Sequence, residues 1–266
     1  MRKATMAEQA DRYELYEASV HDAKAEVDFM QKTFRELRGR QPLTFREDFS
    51  GPASATCEWV RRGSRCRAIG VDIDPDVLEW GRRHRLSLLR PAARRRVTLI
   101  KADVLRVRTE PVDVVAALNF SYWIFRERPL LLRYLGRVRQ ALTGDGILVL
   151  DAFGGYEALQ EKEEHTRHRR FTYVWDQARY HPVTGDFECH IHFRFPDGSR
   201  IERAFTYDWR LWTLPELREL LQEAGFRKVT VYWEGDDGDG GGNGEFTPEI
   251  LGDADAGWVA YLVAEK

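Results

Sequence analysis

Over the first forty positions apolar side chains recur at helical spacing. Val20, Val27, Met30, Phe34 and Leu37 lie three, four or seven residues apart and form one stripe. The pattern predicts helix here, stopped by Gly39 and kept from resuming by Pro42. Short apolar runs then alternate with helical periods. Strands are predicted at Leu43 to Glu47, Arg67 to Asp72, Val97 to Lys101, Val112 to Leu118 and Ile147 to Leu150. Helices are predicted at Ser54 to Arg62, from Pro75 to about Leu89, and at Leu130 to Leu142, with a turn at Thr143 to Gly146. Such alternation implies βαβ units and a parallel sheet covered on both faces.

Two stretches break the rhythm. Phe171 to Tyr207 has period two around turn signals at 182–185 and 196–198, which predicts an antiparallel meander inserted after the fifth strand. The charged segment before it, with His165 and His168, reads as an exposed helix. Leu214 to Ala224 is a predicted helix and Phe226 to Trp233 a strand. Gly235 to Gly244 reads as a flexible, solvated run, and Gly257 to Ala264 as a final strand. Residues 1–40 are thus expected to form a helical cap and 41–266 the main domain, with 155–210 inserted as a lid or as the contact of a homodimer.

Composition narrows the class. Hydrophobic residues make up 43%, enough for a substantial core. No run of about 18 apolar residues exists, so no membrane association is expected. Met1 to Ala10 carries no apolar signal core, and the three cysteines, Cys57, Cys66 and Cys189, are scattered; a reducing, cytoplasmic setting is expected. The net charge of -2 argues against nucleic acid as a partner. The arginines from Arg82 to Arg96 read first as a solvated helix face, with RNA contact as the alternative. His190 and His192 share a strand face without a third ligand at suitable spacing, so no metal is expected. Asp236 to Glu245 has the look of a calcium loop, but Gly241 and Pro248 fall where ligands are needed.

In an open α/β sheet ligands bind beyond the carboxyl ends of the strands. The first such turn reads Arg46-Glu47-Asp48-Phe49-Ser50-Gly51-Pro52-Ala53. Gly51 lets a ligand approach the backbone, and the acids favour a ligand with a positive end. The spacing is neither a dinucleotide fingerprint nor a P-loop. Asp72 closes the second strand, where an acid pairs with ribose hydroxyls, and Ile73 follows it. Asp103 and Val104 close the third, placed to read a purine edge. Alone, each acid is as readily a cap or turn former. Their order suits one ligand carrying an amino acid, a ribose and an adenine.

This series resembles the class I S-adenosylmethionine-dependent methyltransferases, over roughly Leu43 to Lys266. Glu47 and Gly51 match the family's first motif, Asp72 the acid after its second strand, and Asp103 the adenine-side acid. Val112 to Phe125 looks like its fourth-strand motif, and Leu214 to Val229 its last helix and sixth strand. Phe49 and Ala53 stand where the family has its first and last glycines. The start is similar to a bacterial branch with an E-D-F-x-G-x-A signature. The resemblance implies a Rossmann-like, doubly wound, mostly parallel seven-stranded sheet. It implies S-adenosyl-L-methionine as cofactor, held by Arg46, Glu47, Asp48, Phe49, Gly51, Asp72, Ile73, Asp103, Val104 and Asn119.

Transfer of the methyl group is then mostly a matter of alignment. Asn119 is expected to orient a small-molecule acceptor through nitrogen, sulfur or oxygen. Ser121 and Trp123 should line the meeting point, Tyr122 is the first candidate base, and Tyr13 and Tyr16 are expected to reach the substrate from the N-terminal helix. RNA or protein methylation, and nucleoside binding without transfer, are the competing readings.

Overall fold

In the computed structural model residues 4–20, 22–238 and 241–266 are described. The N-terminal segment is three helices, not one: α1 (Met6–Gln9), α2 (Arg12–Val20) and α3 (Ala23–Arg38). The breaks are written as caps. Thr5 and Glu8 close a capping box, Asp11 accepts the N–H groups of Tyr13 (2.8 Å) and Glu14 (3.3 Å), and Asp22 accepts that of Ala25 (3.0 Å). Each cap restarts the helix, which overturns the single continuous helix.

The main domain then runs β1 (Thr44–Asp48), α4 (Ser54–Arg61), β2 (Arg67–Asp72), α5 (Pro75–His84), α6 (Pro91–Arg94), β3 (Val97–Lys101), β4 (Val112–Ala117), α7 (Arg128–Ala141) and β5 (Leu142–Gly154). There follow β6 (Lys162–Arg167), β7 (Thr172–His181), β8 (Asp186–Arg194), β9 (Arg200–Arg210), α8 (Leu214–Glu223), β10 (Lys228–Asp236), β11 (Gly242–Glu249) and β12 (Trp258–Glu265). The first sheet has the order β11-β10-β12-β5-β4-β1-β2-β3, with β1 to β5 parallel. It has eight strands where seven were expected. The additional one is β11, an antiparallel partner of β10 at the sheet edge that takes up part of the run read as flexible; Asp239 and Gly240 of that run lie outside the described residues. Thr143 to Gly146 is not a free turn but an irregularity inside β5, whose pairing with β4 jumps from Leu142 to Ile147.

Alternate residues serve alternate cores. Val115, Ala117, Leu148 and Leu150 face α7 and α8 through Leu131, Leu135, Val138, Leu217 and Leu221. Val114, Ala116, Ile147 and Val149 face α3 and α4 through Val27, Met30, Phe34 and Trp59. Burial on both faces explains the continuous apolar run of β4.

The second sheet is antiparallel, β6-β7-β8-β9. It is one strand larger than the predicted meander. The segment with His165 is strand β6, not helix: its alternating side chains pair with β7, His165 lying opposite Val174. Phe171, Ile191, Phe193 and Phe195 of this sheet pack against Met6, Ala7, Ala10, Leu15 and Tyr16, so α1 and α2 lean on it. No helix among the described residues is long and apolar enough to cross a membrane.

Candidate functional site

The first turn carries three left-handed residues in alternation: Phe49 (φ 57°), Gly51 (φ 49°) and Ala53 (φ 64°). The backbone therefore keeps a glycine-type path at two positions occupied by side chains, at a cost of about 1–2 kcal/mol each. Gly51 faces open space, since a Cβ built there meets nothing within 4 Å. Gly81 of α5 presses on this turn so closely that a Cβ would stand 2.5 Å from the Pro52 carbonyl oxygen.

Asp72 organises the strand ends. Its carboxylate accepts the N–H of Gly51 (2.8 Å) and that of Asp74 (2.9 Å). Its own carbonyl accepts the N–H of Ala102 (2.9 Å), next to Asp103, whose Oδ1 accepts the N–H of Leu105 (2.8 Å). Burial raises the Asp72 carboxyl, against the lowering pull of the two N–H donors. Beside it Ile73 is 69% exposed, an apolar side chain on a polar rim. Gly51, Asp72, Ile73 and Asp103 thus lie together just beyond the carboxyl ends of β1, β2 and β3, next to the point where the strand order reverses between β1 and β4. Two carboxylate oxygens with spare lone pairs, an uncovered apolar face and an open glycine fit a ribose and a purine.

Other predicted cofactor residues point elsewhere. Arg46 and Asp48, two apart on one strand, turn to the same face and bind each other beneath the sheet, where Tyr134 donates to Asp48 (3.0 Å). Glu47 points to the opposite face and caps α4, accepting the N–H and hydroxyl of Thr56 at 2.9 and 2.5 Å. Val104 is 5% exposed and belongs to the core. Phe49 packs its ring against Phe125 and Tyr134.

Beyond β4 the chain makes a second strained turn, with Asn119 at φ 55° and Phe120 at φ 57°. Their N–H groups donate to the two oxygens of Asp151, at 2.6 and 2.9 Å. Burial lifts the Asp151 carboxyl to about 7; the N–H groups of Phe120 and Asn119 oppose that rise and the charge of Glu26 adds to it. This turn borders a cavity of about 590 Å³ between the two sheets. Asn119, Asp151 and Phe153 line it from the main sheet, Tyr16 from α2, and Trp175 and Tyr207 from the antiparallel sheet. Of the residues predicted to touch substrate or carry catalysis, Asn119 and Tyr16 belong to its lining.

Tyr122 does not reach it. It is fully buried, donates to the Asp151 carbonyl (2.8 Å), and burial holds its phenol well above the ordinary range, so it is no base. Trp123 is sealed against Phe153 and Trp209. Ser121 donates to the Leu118 carbonyl, and Tyr13 rests between Trp80 and Phe205. The sequence reading missed Asp151, although it directly follows Leu150, the last residue of β5 paired with β4. The aromatic walls, scattered over distant elements, left no local signal.

Several members of the arginine cluster are engaged in the protein's own contacts. Arg83 pairs with Glu79, Arg85 with Glu17, and Arg96 donates to the carbonyls of Val60, Gly63 and Cys66. His190 meets Thr206 (3.1 Å) and His192 meets Asp176 (3.2 Å), with their rings 5.9 Å apart.

No family model matches the chain. Carboxy-S-adenosyl-L-methionine synthase of Pseudomonas entomophila (strain L48) is 30% identical over 217 residues, covering 74% of this chain and 74% of that protein. Its counterpart from Pseudomonas putida (strain GB-1) is 29% identical over 216 residues with the same coverage. Among solved structures, an S-adenosylmethionine-dependent methyltransferase from Clostridium acetobutylicum ATCC 824 superposes with a TM-score of 0.69 at 13% identity, over 95% of this chain and 96% of that one. An amino pentose methyltransferase from Micromonospora echinaspora, with S-adenosylmethionine bound, gives 0.67 at 14%, over 100% and 99%. These two likenesses speak for the fold.

Proposed function

Because the chain belongs to the family of S-adenosylmethionine-dependent enzymes that contains the carboxy-S-adenosyl-L-methionine synthases, we propose that it binds S-adenosyl-L-methionine at the ends of β1, β2 and β3 and transfers its methyl group to a small-molecule acceptor in the cavity between the sheets. One observation carries the donor site: the Asp72 carboxylate, fixed by Gly51 and Asp74, stands beside an exposed Ile73 and an open glycine. Asp72 takes the ribose hydroxyls, Ile73 one face of the purine, and Asp103 its edge. The methionine end runs over Gly51 toward Asn119. The donor supplies an electrophilic methyl on a sulfonium; the chain supplies alignment and exclusion of water.

The cavity's chemistry separates methyl transfer from the reaction in the relatives' name. Carboxy-S-adenosyl-L-methionine carries an additional carboxylate beside the sulfonium. Asp151 and Glu26 already bring negative charge to the lining, and its lysine, Lys162, pairs with Glu157 and Glu164. A further carboxylate would be repelled there, whereas an uncharged methyl is not. Residues 155–210 serve as the roof over the acceptor and α1 to α3 as the cap.

Calorimetric titration with S-adenosyl-L-methionine and S-adenosylhomocysteine tests the donor site. Asp72→Ala removes charge-assisted hydrogen bonds of roughly 1.5–3 kcal/mol, so affinity should fall about 10- to 100-fold. Unchanged affinity would refute the placement.

A further inference from the structure

Resting on that reading, we propose that the acceptor is an amine, taken in as its ammonium form by the aromatic box and deprotonated by Asp151. Two independent features of the cavity converge on a cation. Its lining holds five carboxylates, Glu26, Asp151, Glu157, Glu164 and Glu234, against one lysine among the described residues. That lysine is already bridged between two of them. The walls are π-faces: Trp175 stands 6.1 Å from both Tyr207 and Trp209, which stack on each other at 4.3 Å, and Phe120 lies edge-on to Phe153 at 4.7 Å. An ammonium ion is attracted to such faces, a neutral hydroxyl or thiol much less so. The wall tyrosines stay neutral, since burial raises Tyr16, Tyr173 and Tyr207.

Of these acids Asp151 is the one bonded to the turn beyond β4. It ends the parallel run of β5, and its carboxylate is joined to the Asn119–Phe120 turn, one strand from the first turn at Gly51. Each oxygen accepts one backbone N–H and keeps a lone pair for the substrate. Its carboxyl, lifted by burial, is a stronger base than a solvated aspartate. Around it stand Glu26 from α3, Tyr16 from α2 and Tyr261 from β12, and Glu234 from β10 lines the same cavity. A proton passes from the ammonium nitrogen to the Asp151 carboxylate. The freed lone pair forms the bond to the methyl carbon while the carbon–sulfur bond breaks, its electron pair staying on sulfur. The products are an N-methylammonium and S-adenosylhomocysteine, and Asp151 returns its proton to solvent.

The test uses the whole chain. Phenyltrimethylammonium and tert-butylbenzene have the same shape and differ in charge. In the presence of S-adenosylhomocysteine, tryptophan fluorescence should show the cation binding at least tenfold more tightly, and Trp175→Leu should erase most of the difference. Equal binding of the two overturns the aromatic box. With isotopically labelled donor, benzylamine should be methylated, and benzyl alcohol and benzyl mercaptan at least a hundredfold more slowly. Faster transfer to the alcohol or thiol overturns the amine. In the wild-type chain kcat/KM for benzylamine should rise with pH through about 7, and Asp151→Asn should abolish that limb. A profile unchanged in Asp151→Asn overturns its role. Titration with S-adenosylhomocysteine, run alongside, reports the donor site separately: its binding with no amine preference rejects this inference and leaves the donor assignment standing.

Discussion

Arg46 grips Asp48 with a fork of two hydrogen bonds, 2.7 and 3.2 Å long, and both side chains are almost wholly sealed beneath β1. The pair directly precedes the first turn yet faces α7, with Tyr134 as its third member. A buried pair loses heavily when one partner is removed, about 3–5 kcal/mol. Asp48→Ala should therefore lower the melting temperature by about 10 °C for a chain of this size. The affinity of the folded variant for S-adenosylhomocysteine should stay within about threefold, because the pair holds the strand and touches no ligand. Calorimetry of melting and of binding on the same sample checks both, and a large loss of affinity with little loss of stability would return Asp48 to the site.

Gly51 offers the complementary case. A Cβ at this position meets no protein atom, so Gly51→Ala pays only for the left-handed backbone, about 1–2 kcal/mol. If the open space belongs to the donor, that same methyl group obstructs it. Affinity for S-adenosyl-L-methionine should fall at least about tenfold, more than the small stability change explains. An equilibrium titration that finds the affinity intact would show that the ligand passes elsewhere.

The two residues also show what the sequence disclosed. The placement of Gly51, Asp72 and Asp103 at or just past strand ends was legible, because apolar periodicity marks those ends well. The directions of Arg46, Glu47 and Asp48 were not legible: alternation sends Arg46 and Asp48 to one face, where they bind each other, and Glu47 to the other, where it caps α4. The N-terminal breaks were present as Thr5-x-x-Glu8 and Asp11-x-x-Glu14, outweighed by the longer apolar stripe. The acceptor cavity was out of reach for another reason. Tyr16, Trp175, Tyr207 and Asp151 become neighbours only when the antiparallel sheet folds onto the parallel one, and no spacing encodes that.

Glu17 ties the N-terminal cap to the donor crevice. Its carboxylate pairs with Arg85 after α5 and accepts the hydroxyl of Ser54 at the first residue of α4, while Asp11 accepts the Trp80 indole N–H at 2.6 Å. These links fasten α2, which has no buried residue of its own, across the start of α4. Glu17→Ala should loosen the segment by about 1–3 kcal/mol. Limited proteolysis within residues 4–20 should accelerate about tenfold or more, and S-adenosylhomocysteine dissociation should speed up in stopped flow. Equal cleavage rates in variant and wild type would show that α2 is held by its packing on the antiparallel sheet instead.

Asp151 makes stability itself depend on pH. Its carboxyl titrates at about 7 when folded, against roughly 3.9 in an unfolded chain. A carboxyl raised in this way binds its proton more tightly in the native state, so its contribution is complete below about pH 4 and is lost as pH rises toward 7. Two pH units of that interval are worth roughly 2.7 kcal/mol. Asp151→Asn carries no such dependence. Denaturant unfolding of both proteins at pH 5, 6, 7 and 8 should show the variant gaining on the wild type by roughly 2–3 kcal/mol across the series, with most of the change below pH 7. Glu26, Tyr16 and Tyr261 lie near Asp151 and remain in both proteins. Parallel curves at all four values would mean that Asp151 ionises like a solvated acid, and the turn at Asn119 and Phe120 would then be held by an ordinary carboxylate.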